Sequence, residues 1–381
     1  MVNKERIVQK FVEMASISSP SLREKEMAEY LKKELMSLGM KVYEDSCGKE
    51  INGNCGNIIG IMEGKEPAIM FSAHMDTVGP CEKITPIVME DRIKSDGTSV
   101  LGSDDKAGIA AILEMLYYFK ENKEEHPKIV VVFSVAEEIR LLGAKNVELS
   151  EYGIKYGFVL DSSGKPGTVV NQAPFHNAIN IVVKGKAAHA GIEPEKGINA
   201  FFVASKAISK LPVGRIDEET TFNPGIVKGG TATNIIMEKF EIYCEARSYR
   251  EEKLIEVCDK VKDVFEKEAN ENGCEVEIEI VREYDGFLFS DSEPLIKIAK
   301  NSVAKCELEF SSHKLGGGSD ANIYNSKSVR TLNLGIGMTK IHSKDEYILI
   351  KDLVDNARVI TEIVKEIDKR WLWKKMEIWW M

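Results

Sequence analysis

The sequence predicts an α/β protein: a mostly parallel sheet with helices around it, interrupted by a smaller α+β domain. Three observations predict it. First, the apolar runs A-I-M-F-S-A (68–73), I-V-V-V-F-S-V-A (129–136) and Y-G-F-V-L (156–160) are short and nearly continuous, as strands buried on both faces of a parallel sheet are. Second, each run stops at a side chain able to bind a metal: His74, then Glu137 and Glu138, then Asp161. A further run, T-L-N-L-G-I-G, leads through a short loop to His342. Ligands of open α/β sheets bind beyond the carboxyl ends of the strands, so these residues are expected at one edge. Third, the pattern changes after about residue 173 to the β-α-β-β-α-β order of a ferredoxin-like split unit, and then changes back.

Taken in order, residues 3–39 read as two helices. The second opens on Ser21-Leu-Arg-Glu24, which has the spacing of a capping box, and closes at Gly39 as C-cap. Strands follow at K-V-Y-E, N-I-I-G-I-M and A-I-M-F-S-A. A helix starts after Ser103-Asp104 and carries A-G-I-A-A-I-L-E-M-L-Y-Y-F. The strands I-V-V-V-F-S-V and Y-G-F-V-L complete this half, giving βαβ units. Within 174–288, N-A-I-N-I-V-V-K-G alternates as a half-exposed strand and F-F-V-A-S-K-A-I-S-K-L is helical. T-T-F-N-P-G-I-V and E-K-F-E-I-Y-C-E-A-R are strands, E-K-L-I-E-V-C-D-K-V-K-D-V-F is an amphipathic helix, and E-V-E-I-E-I-V alternates again. Residues 289–381 return to the first domain with a helix at P-L-I-K-I-A-K, the strand T-L-N-L-G and a final helix from Lys351 to about Asp368. The expected domains are therefore 1–173 with 289–381, and 174–288 inserted between them.

The chain has 381 residues, more than one core usually accommodates. A formal charge of -10 argues against a nucleic-acid partner, which calls for a basic field. Seven cysteines, an odd number with no C-x-x-C pair, read as reduced thiols of a cytoplasmic protein. The N-terminus lacks the apolar core of a signal peptide. No run approaches the ~20 apolar residues that span a bilayer, so no membrane partner is expected. Trp371, Trp373, Trp379 and Trp380 gather at the C-terminus, as a segment docked on a surface, a tail, or alternatively a membrane-surface helix.

Two zinc-type ions sharing a carboxylate need about five protein ligands. His74, Asp104, Glu138, Asp161 and His342 supply such a set, and mixed imidazole and carboxylate donors suit zinc, manganese or cobalt. Asp76, two residues from His74, is placed to accept a hydrogen bond from its imidazole. Glu137 and Glu138 are adjacent and cannot point the same way on a regular strand; at a strand end, one can ligate while the other faces substrate.

H-M-D-T-V, G-S-D-D-K-A-G, A-E-E, L-D-S-S-G and the late I-H-S together resemble the signatures of the co-catalytic di-zinc peptidase and deacylase family. The resemblance covers nearly the whole chain, and G-x-D-D-K-A-G is most similar to the peptidase T branch. It implies a zinc-exopeptidase-like catalytic domain with an inserted lid that closes by a hinge near residues 173 and 288 and pairs two subunits as a homodimer. It implies two divalent ions, Zn2+ or alternatively Co2+ or Mn2+, with Asp104 bridging them. His74 and Asp161 would complete one site, and Glu138 and His342 the other. The alternative puts Asp105 in the bridging role. The Asp104-Asp105 peptide is expected to be cis.

The implied reaction is hydrolysis of a short peptide, releasing the N-terminal residue of a tripeptide. A metal-bridged hydroxide would attack, with Glu137 as general base and Asp76 as the second catalytic residue, fixing the tautomer of the metal ligand His74. An N-acyl-amino-acid amidohydrolase or a carboxypeptidase with the same metals is the alternative. In the inserted domain the resemblance implies that His189 supports the oxyanion and that Asn234 and Arg247 hold the substrate carboxylate. The Gly316-Gly317-Gly318-Ser319-Asp320 turn could bring backbone donors close to it, with Gly318 a candidate contact. His126, His176 and His313 lack such context and are expected to be structural or superficial.

Overall fold

The structure is a computed structural model that describes residues 1–379, with side chains described to residue 369. The expectation for Trp371, Trp373, Trp379 and Trp380 therefore concerns side chains outside the described residues. The chain divides into two compact units. One comprises Met1–Asn171, Leu288–Leu315 and Ser319–Met381; the other comprises Gln172–Phe287 and Gly316–Gly318.

The first unit is built on a nine-stranded sheet. Its centre runs Pro127–Ser134, Lys65–His74, Ile154–Ser162, Arg330–Gly335, all parallel to one another. Lys41–Glu44 and Ile58–Met62 flank one side and Thr168–Ala173 the other, all antiparallel. The central strands are buried along nearly their whole length, which is why their sequences are continuous apolar runs rather than alternations. Their register decides where they end. His74 pairs with Ser134, Ser72 with Val159, and Gly335 with Ser162, so the carboxyl ends of the four strands lie level.

The helix Ser103–Asn122 packs along this sheet, and most of its residues are buried. Gly108 allows the approach: a Cβ there would meet the Leu160 carbonyl oxygen at 2.5 Å. The helix Lys25–Ser37 stops as its sequence predicts. Gly39 takes φ +78°, its N–H donates to the Met36 carbonyl, and the Met40 N–H donates to Leu35. Its start differs. Ser21 caps nothing; its hydroxyl donates to Asp76 Oδ2 at 2.7 Å, and the helix begins only at Lys25. A hydroxyl that donates to a buried carboxylate makes a charge-assisted bond, and a local sequence motif cannot register a partner 55 residues away.

The final helix runs Ile350–Trp379, longer than expected. Several short elements carry no clear sequence signal: the helix Asp320–Ser326, and a three-stranded sheet of Ile87–Val88, Arg92–Lys94 and Tyr347–Leu349. Strands of two or three residues exist only through their pairing, so local periodicity does not reveal them. Among the described residues, no helix is long and apolar enough to cross a membrane.

The second unit is a five-stranded antiparallel sheet in the order Gly214–Arg215, Thr220–Gly229, Lys239–Ser248, Phe175–Lys184, Glu275–Tyr284. The helices Ala200–Ile208 and Glu251–Asn272 cover one face. Ile179, Ile181 and Val183 point into that core and alternate with partly exposed neighbours, the signature of a sheet with one wet face.

Candidate metal centre

The level strand ends bring the acids and imidazoles together. His74 is the last residue of its strand and Asp161 the last but one of the next. Asn333 locks Asp161 from the neighbouring strand: its Oδ1 accepts the Asp161 N–H at 3.0 Å, and its Nδ2 donates to the Asp161 carbonyl at 2.8 Å. Asp104 lies where the helix Ser103–Asn122 begins with non-helical backbone at Asp104 and Asp105, and the peptide between them is cis. Glu346, fully buried, accepts the N–H groups of Leu101, Gly102, Ser103 and Asp104. Thr339 and Tyr347 exchange backbone hydrogen bonds at 3.1 Å and close the loop that carries His342, itself at φ +59°. One hairpin thus holds His342 and delivers Glu346 to the Asp104 turn.

Two groups of ligand-capable atoms result, each with all its atoms within 4.8 Å of one another: His74, Asp104 and Asp161; and Asp104, Glu138 and His342. Asp104 belongs to both. Its Oδ1 lies 3.0 Å from His74 Nε2, and its Oδ2 lies 3.2 Å from His342 Nε2. His74 Nε2 is 4.0 Å from Asp161 Oδ1, and His342 Nε2 is 2.9 Å from Glu138 Oε1. Asp105 stands outside both groups. Its carboxylate accepts the N–H of His74 and of Gly108, each at 3.2 Å, and so ties helix to strand.

The field at the site is strongly negative. Burial, with Asp161 next in weight, pushes Glu137 well above the usual carboxylate range; burial and then Asp104 do the same to Asp161. Hydrogen bonds with Asp104 and Glu138 raise His342 to about 10. Burial lowers His74, but Asp104 and Asp76 outweigh it and raise its imidazole. A field that favours a proton on both imidazoles also favours a metal cation there, because the two compete for the same nitrogen.

Asp76 does more than its sequence position suggests. His74 Nδ1 lies 2.9 Å from the Asp76 backbone carbonyl and 3.3 Å from its Oδ1. The Asp76 carboxylate also accepts the N–H groups of Glu137 and Glu138. Sequence reasoning missed Glu346 and Asn333. Asn333 left a trace, a polar residue in the middle of a buried strand; Glu346, an acid in a polar loop, left none.

In the second unit, His189 and Asn234 lie on adjacent segments: His189 bridges Ile235, and the Ala190 N–H donates to the Asn234 carbonyl at 2.9 Å. Both side chains are exposed. Arg247 Nη1 donates to the Gly316 carbonyl at 3.3 Å and Nη2 to Glu245 at 2.9 Å. Gly318 lies against Tyr284; a Cβ would come within 2.4 Å of the ring, so any side chain there would have to displace it. Ser319 and Asn322 form a reciprocal capping box on the helix Asp320–Ser326. His176 packs against Tyr284, and His126 against Phe119.

An M20-type model described as a peptidase dimerisation domain matches residues 176–273, and one described as peptidase family M28 matches residues 57–193. An uncharacterised protein of Bacillus subtilis, YqjE, is 41% identical over 97% of this chain and 100% of its own. The crystal structure of aminopeptidase PepT from Bacillus cereus superposes with a TM-score of 0.89 at 39% identity, covering 96% of this chain and 99% of that one. A tripeptidase from Staphylococcus aureus gives 0.90 at 37% identity, covering 96% and 98%.

Proposed function

This chain belongs to the M20 peptidases, in the peptidase T branch, and is a metal-dependent peptidase; we propose that it releases the N-terminal residue of tripeptides, with two divalent cations and Glu137 as general base. The observation that carries this reading is the double orientation of Asp104, one oxygen toward His74 and the other toward His342. His74 and Asp161 would hold one cation, Glu138 and His342 the other, and Asp104 both. Imidazole and carboxylate donors suit zinc, with cobalt and manganese as alternatives. When bound, such a pair polarises a substrate carbonyl and lowers the pKa of a shared water.

The chain's own residues do the rest. Glu137 is buried beside the ligand groups, accepts the proton from the attacking water and passes it to the leaving amine. Asp76 fixes the His74 ring and the backbone under Glu137. In the second unit, the Arg247 guanidinium is shaped for a substrate carboxylate, beside the Gly316–Gly318 backbone, and Asn234 would assist it. His189 would support the developing oxyanion. The match to a peptidase dimerisation domain supports a homodimer formed through this unit, and the free thiols support a cytoplasmic setting.

The test compares a free tripeptide with its N-acetylated form, before and after chelation. The expected result is cleavage of the free peptide at its first bond, loss on chelation, and recovery with zinc, cobalt or manganese. Preference for the acetylated compound would make the enzyme a deacylase; release of the C-terminal residue would make it a carboxypeptidase. Full activity without metal would overturn the scheme.

A further inference from the structure

Glu137 and Glu138 are neighbours, yet the reading above needs both side chains at one centre. A regular strand would send them to opposite faces. The backbone from Val135 to Gly143 is accordingly irregular, with positive φ at Ala136 (51°), Arg140 (80°) and Leu141 (59°). Such conformations are costly for residues with a Cβ and persist only where the surroundings impose them.

The surroundings are visible. Four consecutive N–H groups, Val135 to Glu138, donate to side chains from three distant segments. Val135 donates to Asn57 Oδ1 at 3.0 Å and Ala136 to Glu24 Oε1 at 3.0 Å. Glu137 donates to Asp76 Oδ1 at 2.9 Å and Glu138 to Asp76 Oδ2 at 3.2 Å. Asn57 also grips the far end of the loop, its Nδ2 donating to the Gly143 carbonyl at 3.0 Å and to Asp45 Oδ2 at 2.7 Å. Glu24 Oε1 takes a second N–H, from Leu22, at 2.9 Å. Glu24 and Asn57 are both fully buried, and neither belongs to a ligand group.

We propose that Glu24 and Asn57 are positioning residues for catalysis: they hold the loop 135–143 in the one shape that aims Glu137 at the reacting water while Glu138 faces the ligand group. Asp76 alone supplies acceptors for only two of the four N–H groups, and the remaining two fall to these residues. The inference rests on Glu137 being the base, and acts through it. Neither residue touches substrate.

The experiment measures steady-state kinetics of the full-length, metal-loaded enzyme on a tripeptide, with metal content recorded for each variant. Glu24→Ala and Asn57→Ala are expected to lower kcat by about 10- to 100-fold, the scale of small misplacements of a catalytic group. KM is expected to stay within about threefold and metal content to be unchanged, since the loss is in the transition state. Glu24→Gln should recover most of the kcat lost with alanine, because its amide oxygen can still accept the Ala136 N–H. In a Glu137→Gln background, Glu24→Ala should cost nothing further, because its route of action is already gone. Unchanged kcat in both alanine variants, or an equal loss in the Glu137→Gln background, would overturn the proposal. Either alanine variant tests it alone should the other fail to accumulate. Full turnover in Glu137→Gln by itself would remove the base assignment and the inference with it.

Discussion

Replacing Glu346 with alanine removes the acceptor that gathers the backbone under Asp104. The carboxylate is 1% exposed and receives the N–H groups of Leu101, Gly102, Ser103 and Asp104 at 2.7, 2.9, 2.7 and 3.3 Å, together with the Ser103 hydroxyl. It also sits at the positive end of the helix Ser103–Asn122, where a negative charge is favourable. Hydrogen bonds to a charged group are worth about 1.5–3 kcal/mol each, so four lost together set a ceiling of roughly 6–12 kcal/mol. Water entering the freed space and rotation of Ser103 recover part of this. The expected net loss is about 3–5 kcal/mol, the range seen when a buried charged network loses one partner. At about 2–4 °C per kcal/mol for a domain of this size, Tm falls by roughly 6–20 °C. Asp104 then loses its tether, and metal affinity should fall by about 10- to 100-fold, as for other outer-shell partners. Thermal melts with and without metal, beside a competitive metal titration, read both effects. A Tm within about 2 °C of the parent, with unchanged metal affinity, would refute the role assigned to Glu346.

Further outcomes follow from the same geometry. Glu137→Ala should lose about 10²- to 10⁴-fold in turnover, the scale of general-base catalysis, while keeping its metal; near-normal rates would remove the base assignment. Burial and the charge of Asp76 raise Glu24 from its ordinary 4.5 to about 7. The folded state therefore holds a proton that the unfolded state has lost, and stability declines as pH rises from about 4.5 to about 7. Glu24→Gln removes that dependence, so its Tm relative to the parent should be higher at pH 8 than at pH 5; equal differences at both pH values would contradict this. Burial pushes Cys47, Cys55 and Cys244 up to about 12 and Cys306 to about 11, and of the seven free thiols only Cys274 is incompletely buried. A thiol reagent at pH 8 should label Cys274 first, and simultaneous labelling of all seven would be inconsistent with this packing.

Much of the fold was legible in the chain. The runs ending at His74, Glu137 and Asp161 are continuous because parallel strands are buried on both faces, and their shortness separates them from buried helices. The alternation within Phe175–Lys184 equally announced a sheet with one wet face. The helix end at Gly39 was readable because its cap is local in sequence. The helix start at Ser21 was not, because the partner of that hydroxyl lies 55 residues away.

The sequence by itself determined which side chains stand at strand ends, and hence which acids and imidazoles could meet. Periodicity and strand length are local properties, written in the order of residues. Only the tertiary structure decided how those side chains are held. Parallel register levels His74 with Ser134, Asn333 grips Asp161 from another strand, Glu346 reaches back 242 residues to the Asp104 N–H, and Glu24, Asn57 and Asp76 together shape the loop under Glu137. Each is a hydrogen bond between distant segments, where the buried backbone requires an acceptor but local sequence does not say which residue will supply it.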